Sequence, residues 1–180
     1  TINDRLQGQA SWSDTRYPDD VAGAFDQPEG DFTGHAVDLM YTHTTRDYEL
    51  YGIYREISPG FRADLGFMPQ VGYRHYDTGA LFIWQQNDPT HWYNLLKTWI
   101  GYEHTDDWDG NMLRSAPGAF IEYRGPYQTN AFVNLYWGRQ TYEGVEYDDR
   151  TYRLNFSIRP VRDLALGLQV NGGDAVDYRF

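Results

Sequence analysis

Residues 119–137, AFIEYRGPYQTNAFVNLYW, constrain the fold more than any other part of the chain. Two alternating runs flank a compact turn at Arg124-Gly125-Pro126-Tyr127. Successive side chains of a strand face opposite sides of a sheet, so Ala119, Ile121 and Tyr123 point one way and Phe120, Glu122 and Arg124 the other. The second arm repeats the pattern, with Ala131, Val133, Leu135 and Trp137 opposed to Asn130, Phe132, Asn134 and Tyr136. Pro takes a turn position where no ladder N–H is needed, so the segment predicts a β-hairpin.

Most of the remaining chain carries the same period. Residues 5–13 set Leu6, Gly8, Ala10 and Trp12 against a polar face, and residues 35–43 set Val37, Leu39 and Tyr41 against Ala36, Asp38 and Met40. Runs at 48–57, 72–86 and 91–104 follow, the last with Trp92, Leu96, Ile100 and Tyr102 opposed to Tyr93, Lys97, Trp99 and Glu103. Residues 150–159 alternate cleanly, with Tyr152, Leu154, Phe156 and Ile158 on one face and Arg153, Asn155, Ser157 and Arg159 on the other. Leu164, Leu166, Leu168 and Val170 then face away from Ala165, Gly167, Gln169 and Asn171 before Gly172-Gly173-Asp174 breaks the run.

The connections are expected to alternate in length. Residues 14–34, 58–71, 105–111 and 141–149 read as long loops, the last two acidic, and 44–47, 87–90, 125–127 and 160–163 as short turns. A short extended piece is expected within the second loop, at 61–67. Trp and Tyr gather near strand ends, as at Trp12, Trp84, Trp92, Trp99 and Trp137. An antiparallel up-and-down meander with one trimmed end, one elaborated end and aromatics at its margins predicts an all-β protein closing as a transmembrane β-barrel of about 8 to 10 strands, in one domain over residues 1–180 or as part of a larger barrel. About nine strands precede Asn171, and single-chain bacterial barrels have even numbers. Residues 175–180 are thus expected to supply a last strand, or the chain to be a fragment. Tyr178-Arg179-Phe180 resembles the terminal aromatic signal of outer-membrane proteins.

The same alternation serves a soluble β-sandwich in which the apolar face is a core. Composition narrows the alternatives elsewhere. Tyr, Phe and Trp number 16, 9 and 6, yet mean hydropathy is −0.71, which suits sheets with one wet face. No run approaches the roughly 20 apolar residues of a spanning helix. A net charge of −11 argues against nucleic acid as a partner. With no Cys, disulfides and thiolate chemistry are impossible. The chain starts at Thr1 without a signal-like segment, as a mature product or a piece of something larger would.

Phe61-Arg62-Ala63-Asp64-Leu65-Gly66-Phe67-Met68-Pro69, followed by Tyr73-Arg74, resembles a segment of an uncharacterised family of Gram-negative bacteria. In that family a carbohydrate-binding family 9-like module precedes a C-terminal domain of unknown function that looks like an outer-membrane barrel. Where the family has an Arg and, two residues on, an Asp after the Pro, this chain has Gln70 and Gly72. The resemblance implies a surface protein linked to glycan handling and supplies no catalytic residues.

Candidate sites follow from the faces. Asp38, Glu122, Arg124, Arg153 and Arg159 lie on the polar face, where in a barrel they line the lumen, either as a solute-binding surface or as ion pairs filling a narrow interior. Asp107, Asp109 and Asn111, with Asp106, are close enough in one loop to offer oxygen ligands to Ca²⁺, although the spacing is not that of an EF-hand; a solvated acidic loop is the competing reading. No catalytic motif is present, and the five His lack metal-ligand spacing. The expectation is therefore a bacterial outer-membrane β-barrel with a structural, transport or surface-binding role, with outer-membrane lipid and a glycan or small solute as partners. The alternatives are a soluble carbohydrate-binding β-sandwich using aromatics such as Trp84, Trp92 and Trp99, and a glycoside hydrolase using a carboxylate pair.

Overall fold

A computed structural model of the chain describes residues 3–25, 27–63, 70–88 and 90–174. They form nine strands, β1 (Asn3–Arg16), β2 (Asp31–Thr44), β3 (Tyr48–Ile57), β4 (Tyr73–Gln85), β5 (Leu95–Asp107), β6 (Met112–Gly125), β7 (Thr129–Tyr142), β8 (Val145–Val161) and β9 (Leu164–Gly173), with one short helix, α1 (Asp19–Ala24), between β1 and β2. Each strand pairs antiparallel with the next, giving one up-and-down sheet in sequence order. This is the all-β meander the alternation predicts. Hydrogen bonds do not close the sheet among the described residues, so β1 and β9 are its edges. Direction reverses at every step, so β1 and β9 run the same way. Joining them directly would create the sheet's only parallel pair.

The connections depart from strict long-short alternation. Residues 141–149, expected as a long acidic loop, are a hairpin: β7 continues to Tyr142, β8 begins at Val145, and Glu143-Gly144 turns the chain with φ of 49° and 76°. Two left-handed residues are what the twist of a two-residue hairpin demands. The acidic residues taken for loop are strand residues held by cross-strand pairing, Thr141 with Glu146, Arg139 with Asp148 and Gly138 with Asp149. Likewise β5 runs on to Asp107 and β1 to Arg16. The connection expected at 87–90 spans 86–94, which leaves Trp92 in a loop; Pro89 lies outside the described residues. At the elaborated end 17–30 and 58–72 are long, whereas 108–111 is nearly as tight as 126–128 at the opposite end.

The two long connections build a small cap. Pro18 precedes α1, its carbonyl accepts from the N–H groups of Val21 and Ala22, and Asp19 and Asp20 complement the positive end of the helix. Ala22 and Phe61 are buried there, with Thr15 and Ser58. Arg62 ties the two loops: its guanidinium donates to Gln27 Oε1 at 2.9 and 3.1 Å and to the carbonyls of Pro59 and Phe61, and its N–H donates to Ser13 Oγ. The extended piece expected at 61–67 is irregular chain at Phe61–Ala63, and its remainder lies outside the described residues.

Register divides the sheet into two faces. One carries Leu6, Leu39, Leu50, Phe82, Ile100, Ile121, Leu135, Phe156 and Leu168; the other carries Asp38, Arg55, Asp77, Glu103, Glu122, Asn134 and Arg153. The apolar face is bare, with Leu6, Ile100 and Leu168 exposed to 76, 59 and 57 %. Ala116 is the one buried hydrophobic side chain in the sheet among the described residues. The total accessible surface is 12588 Å², against about 9,000 Å² for a folded globular monomer of this mass. A chain that buries so little apolar surface has no core of its own in water.

Candidate functional site

Cavities of about 470, 680 and 190 Å³ open on the polar face, which is therefore the concave side. Its middle is floored by glycine. Gly79, Gly101 and Gly118 fall opposite one another on β4, β5 and β6, with Tyr51 of β3 and Tyr136 of β7 at the two ends of the row. A Cβ at Gly101 would overlap the six-membered ring of Trp99, one at Gly79 would meet the Tyr51 ring at 2.6 Å and the Trp99 indole nitrogen at 2.7 Å, and one at Gly118 would meet Tyr136 at 2.6 Å. The absent side chains let the indole lie flat across three strands. From there rings continue along the wall: Phe120 stacks on Trp99 at 5.8 Å and 18°, and Phe132 follows at 5.6 Å.

The residues expected on the polar face are all found on strands that contribute to it, but not in one cluster. Asp38 lines the smallest cavity and receives Arg55 Nε and Nη2, both at 2.7 Å. Glu122 and Arg124 line the 470 Å³ cavity and pair at 2.6 and 2.8 Å. Arg153 lines the 680 Å³ cavity, with no side-chain partner among the described residues. Arg159 sits where the β8–β9 register shifts, its N–H donating to the Tyr127 carbonyl. One ion-pair bridge on this face is not singled out by alternation alone. Arg114 bridges Glu103 and Asp149 at 3.4 Å each, and Tyr51 donates to Asp77, the cross-strand neighbour of Glu103. Asp149 escapes a reading that treats its acidic neighbourhood as loop, and Arg114 meets its partners only through the register of four strands, β5 to β8.

In the acidic turn, Asp107 accepts hydrogen bonds from Asn111 Nδ2, from the Asn111 N–H and from the Asp109 N–H at 2.8 to 2.9 Å. These donors, the Asn111 side chain first, hold its carboxyl below the ordinary value of 3.8. Asp107 is thus occupied in closing the turn. Asp106 points elsewhere, to His104 Nε2 at 2.8 Å. Among the described residues no group of three His, Asp or Glu could hold a metal ion.

On the apolar face, polar groups gather at the margins. At the cap end Glu56 accepts from Tyr54, His35 and Arg74 at 2.7 to 2.9 Å, and the Arg74 guanidinium lies 4.3 Å above the Trp108 ring. Tyr76, Tyr102 and His104 continue the belt, with Tyr102 reaching Ser115 at 3.0 Å. At the opposite end Tyr48, Phe82 and Trp84 pack in sequence, and Trp92 stacks on Tyr123 at 6.0 Å. Trp84, Trp92 and Trp99, expected together as a sugar-stacking set, therefore do not share a surface: Trp84 is on the apolar face, Trp92 in a loop and Trp99 on the polar face.

Comparison of the chain with protein-family models, characterised proteins and solved structures finds no match. Of the segment that carries the family resemblance, Phe61–Ala63 and Tyr73–Arg74 are described, and 64–69 lie outside the described residues, as does the aromatic ending at 175–180.

Proposed function

We propose that the chain forms the wall of a bacterial outer-membrane β-barrel, meeting lipid with its apolar face and solute with its polar face, in a structural, transport or surface-binding role. One observation carries this reading. Between the aromatic margins, the apolar face has no charged side chain on any of nine strands, while every charge on that face sits at one end or the other. On β4 the margins are Tyr76 and Trp84, with Thr78, Ala80 and Phe82 between them. The eight steps from Tyr76 to Trp84 cover about 27 Å of extended strand, or roughly 20 Å across a bilayer at barrel tilt, close to the apolar band of outer-membrane barrels. The polar face carries charges throughout its length, as a water-facing lumen tolerates.

Edge direction adds a condition. A barrel that is antiparallel throughout needs an odd number of further strands between β9 and β1, because those edges run the same way. Open edges in hydrocarbon would cost several kcal/mol per unpaired backbone group.

The test is expression behind an export signal. Fractionation with the outer membrane, and heat-modifiable gel migration of a protein with β-type circular dichroism in detergent, support the proposal. A soluble monomer without detergent refutes it and favours a sandwich.

A further inference from the structure

Several charges of the concave wall are paired, Asp38 with Arg55, Glu122 with Arg124, and Arg114 with Glu103 and with Asp149 of β8. Beside them on β7 and β8, the amides of Asn134 and Asn155 and the guanidinium of Arg153 have no hydrogen-bond partner among the described residues. Arg153 is exposed and the two Asn are half-buried, so all three are open to a ligand in the concavity. These groups border the line of rings. The register row of Phe120 continues through Asn134 and Arg153, and that of Phe132 through Asn155. Phe132 stands between the 470 and 680 Å³ cavities and lines both.

We infer that this wall binds an oligosaccharide, laid along Trp99, Phe120 and Phe132 with its hydroxyls turned to Asn134, Asn155 and Arg153. A pyranose has an apolar C–H face and an equatorial rim of hydroxyls, each both donor and acceptor. Flat rings match the face, and the close approach of Trp99 to the glycine floor holds its ring in place beside Phe120. Amides supply both a donor and an acceptor, and the guanidinium fork supplies paired donors to neighbouring oxygens. Rings spaced at 5.8 and 5.6 Å offer successive platforms to successive sugars. This names the solute class of the proposed lumen and rests on that reading for which face is wet.

The test uses full-length protein folded in a detergent without a sugar headgroup, first checked for β-type circular dichroism and heat-modifiable migration. Maltohexaose, cellohexaose and chitohexaose are then titrated, with binding followed by calorimetry and tryptophan fluorescence. At least one should bind saturably, weakening roughly tenfold or more, about 1.4 kcal/mol, in Phe132→Ala and in Arg153→Gln. Ile100→Ala, on the opposite face, should leave it unchanged. Arg153→Gln removes no packed ring and reports even where Phe132→Ala does not fold. Folded, heat-modifiable protein that binds none of the three, or binds equally well after Arg153→Gln, overturns the inference and leaves the barrel reading intact. Failure at the first check would instead count against the barrel.

Discussion

Trp99 and Gly101, two residues apart on β5, occupy one space: the six-membered ring of the indole covers the position where a side chain on Gly101 would begin. Gly101→Ala must therefore displace the ring, at the cost of about 1–3 kcal/mol typical of overpacking. Gly52, with nothing within 4 Å of its missing Cβ, is the control. There Ala removes chain entropy from the unfolded state, for a gain of roughly 0.5–1 kcal/mol. Denaturant unfolding of both variants should give changes of opposite sign, and Trp99 fluorescence should shift only in the first.

Ile100 is exposed at the centre of the apolar face. If that face meets lipid, Ile100→Arg costs about 2–4 kcal/mol in a bilayer. On a water-facing surface the same change would fall within about 0.5 kcal/mol of zero. Asn134→Arg, on the wall opposite, should be close to neutral. Unfolding in lipid vesicles separates the cases.

Arg114 of β6 neutralises two carboxylates, Glu103 on β5 and Asp149 on β8. Its side chain is more than a third exposed, so solvent screening limits its worth, and Arg114→Gln should lose about 1 kcal/mol. Part of that loss is repulsion left between Glu103 and Asp149. Adding Glu103→Gln should recover some of it, and a double-mutant cycle measures how much.

Asp107 has its carboxyl held below the ordinary value of 3.8 by Asn111 and the turn's N–H groups. A group depressed by folding stabilises the fold above its unfolded value, and that contribution disappears as pH falls through the folded value. The stability difference between wild type and Asp107→Ala should be full above about pH 4 and shrink below it. An acid titration of both proteins shows whether the gap closes.

How much of this is legible in the sequence follows from range. The hairpin of β6 and β7 and the alternation at 150–159 are local, so the meander and its two faces follow directly from residue order. The turn at Glu143-Gly144 misleads because Glu146, Asp148 and Asp149 look like a solvated run, and only pairing with β7 keeps them extended. The helix α1 is a single turn and a half that depends on packing of Ala22 in the cap. The glycine row is invisible for another reason: Gly79, Gly101 and Gly118 are unremarked singly and become a floor only when three registers align them. The same holds for Arg114, whose partners lie on β5 and β8.

On the barrel reading the even-numbered residues of β8 from Tyr152 to Ile158 face lipid, while the odd-numbered ones between them face water. Because the chain has no Cys, single cysteines at positions 153 to 158 can each carry a fluorophore in vesicles with and without a lipid-borne nitroxide quencher. Strong quenching is expected at 154, 156 and 158 and weak quenching at 153, 155 and 157. Quenching that is uniform, absent or reversed in phase would contradict it.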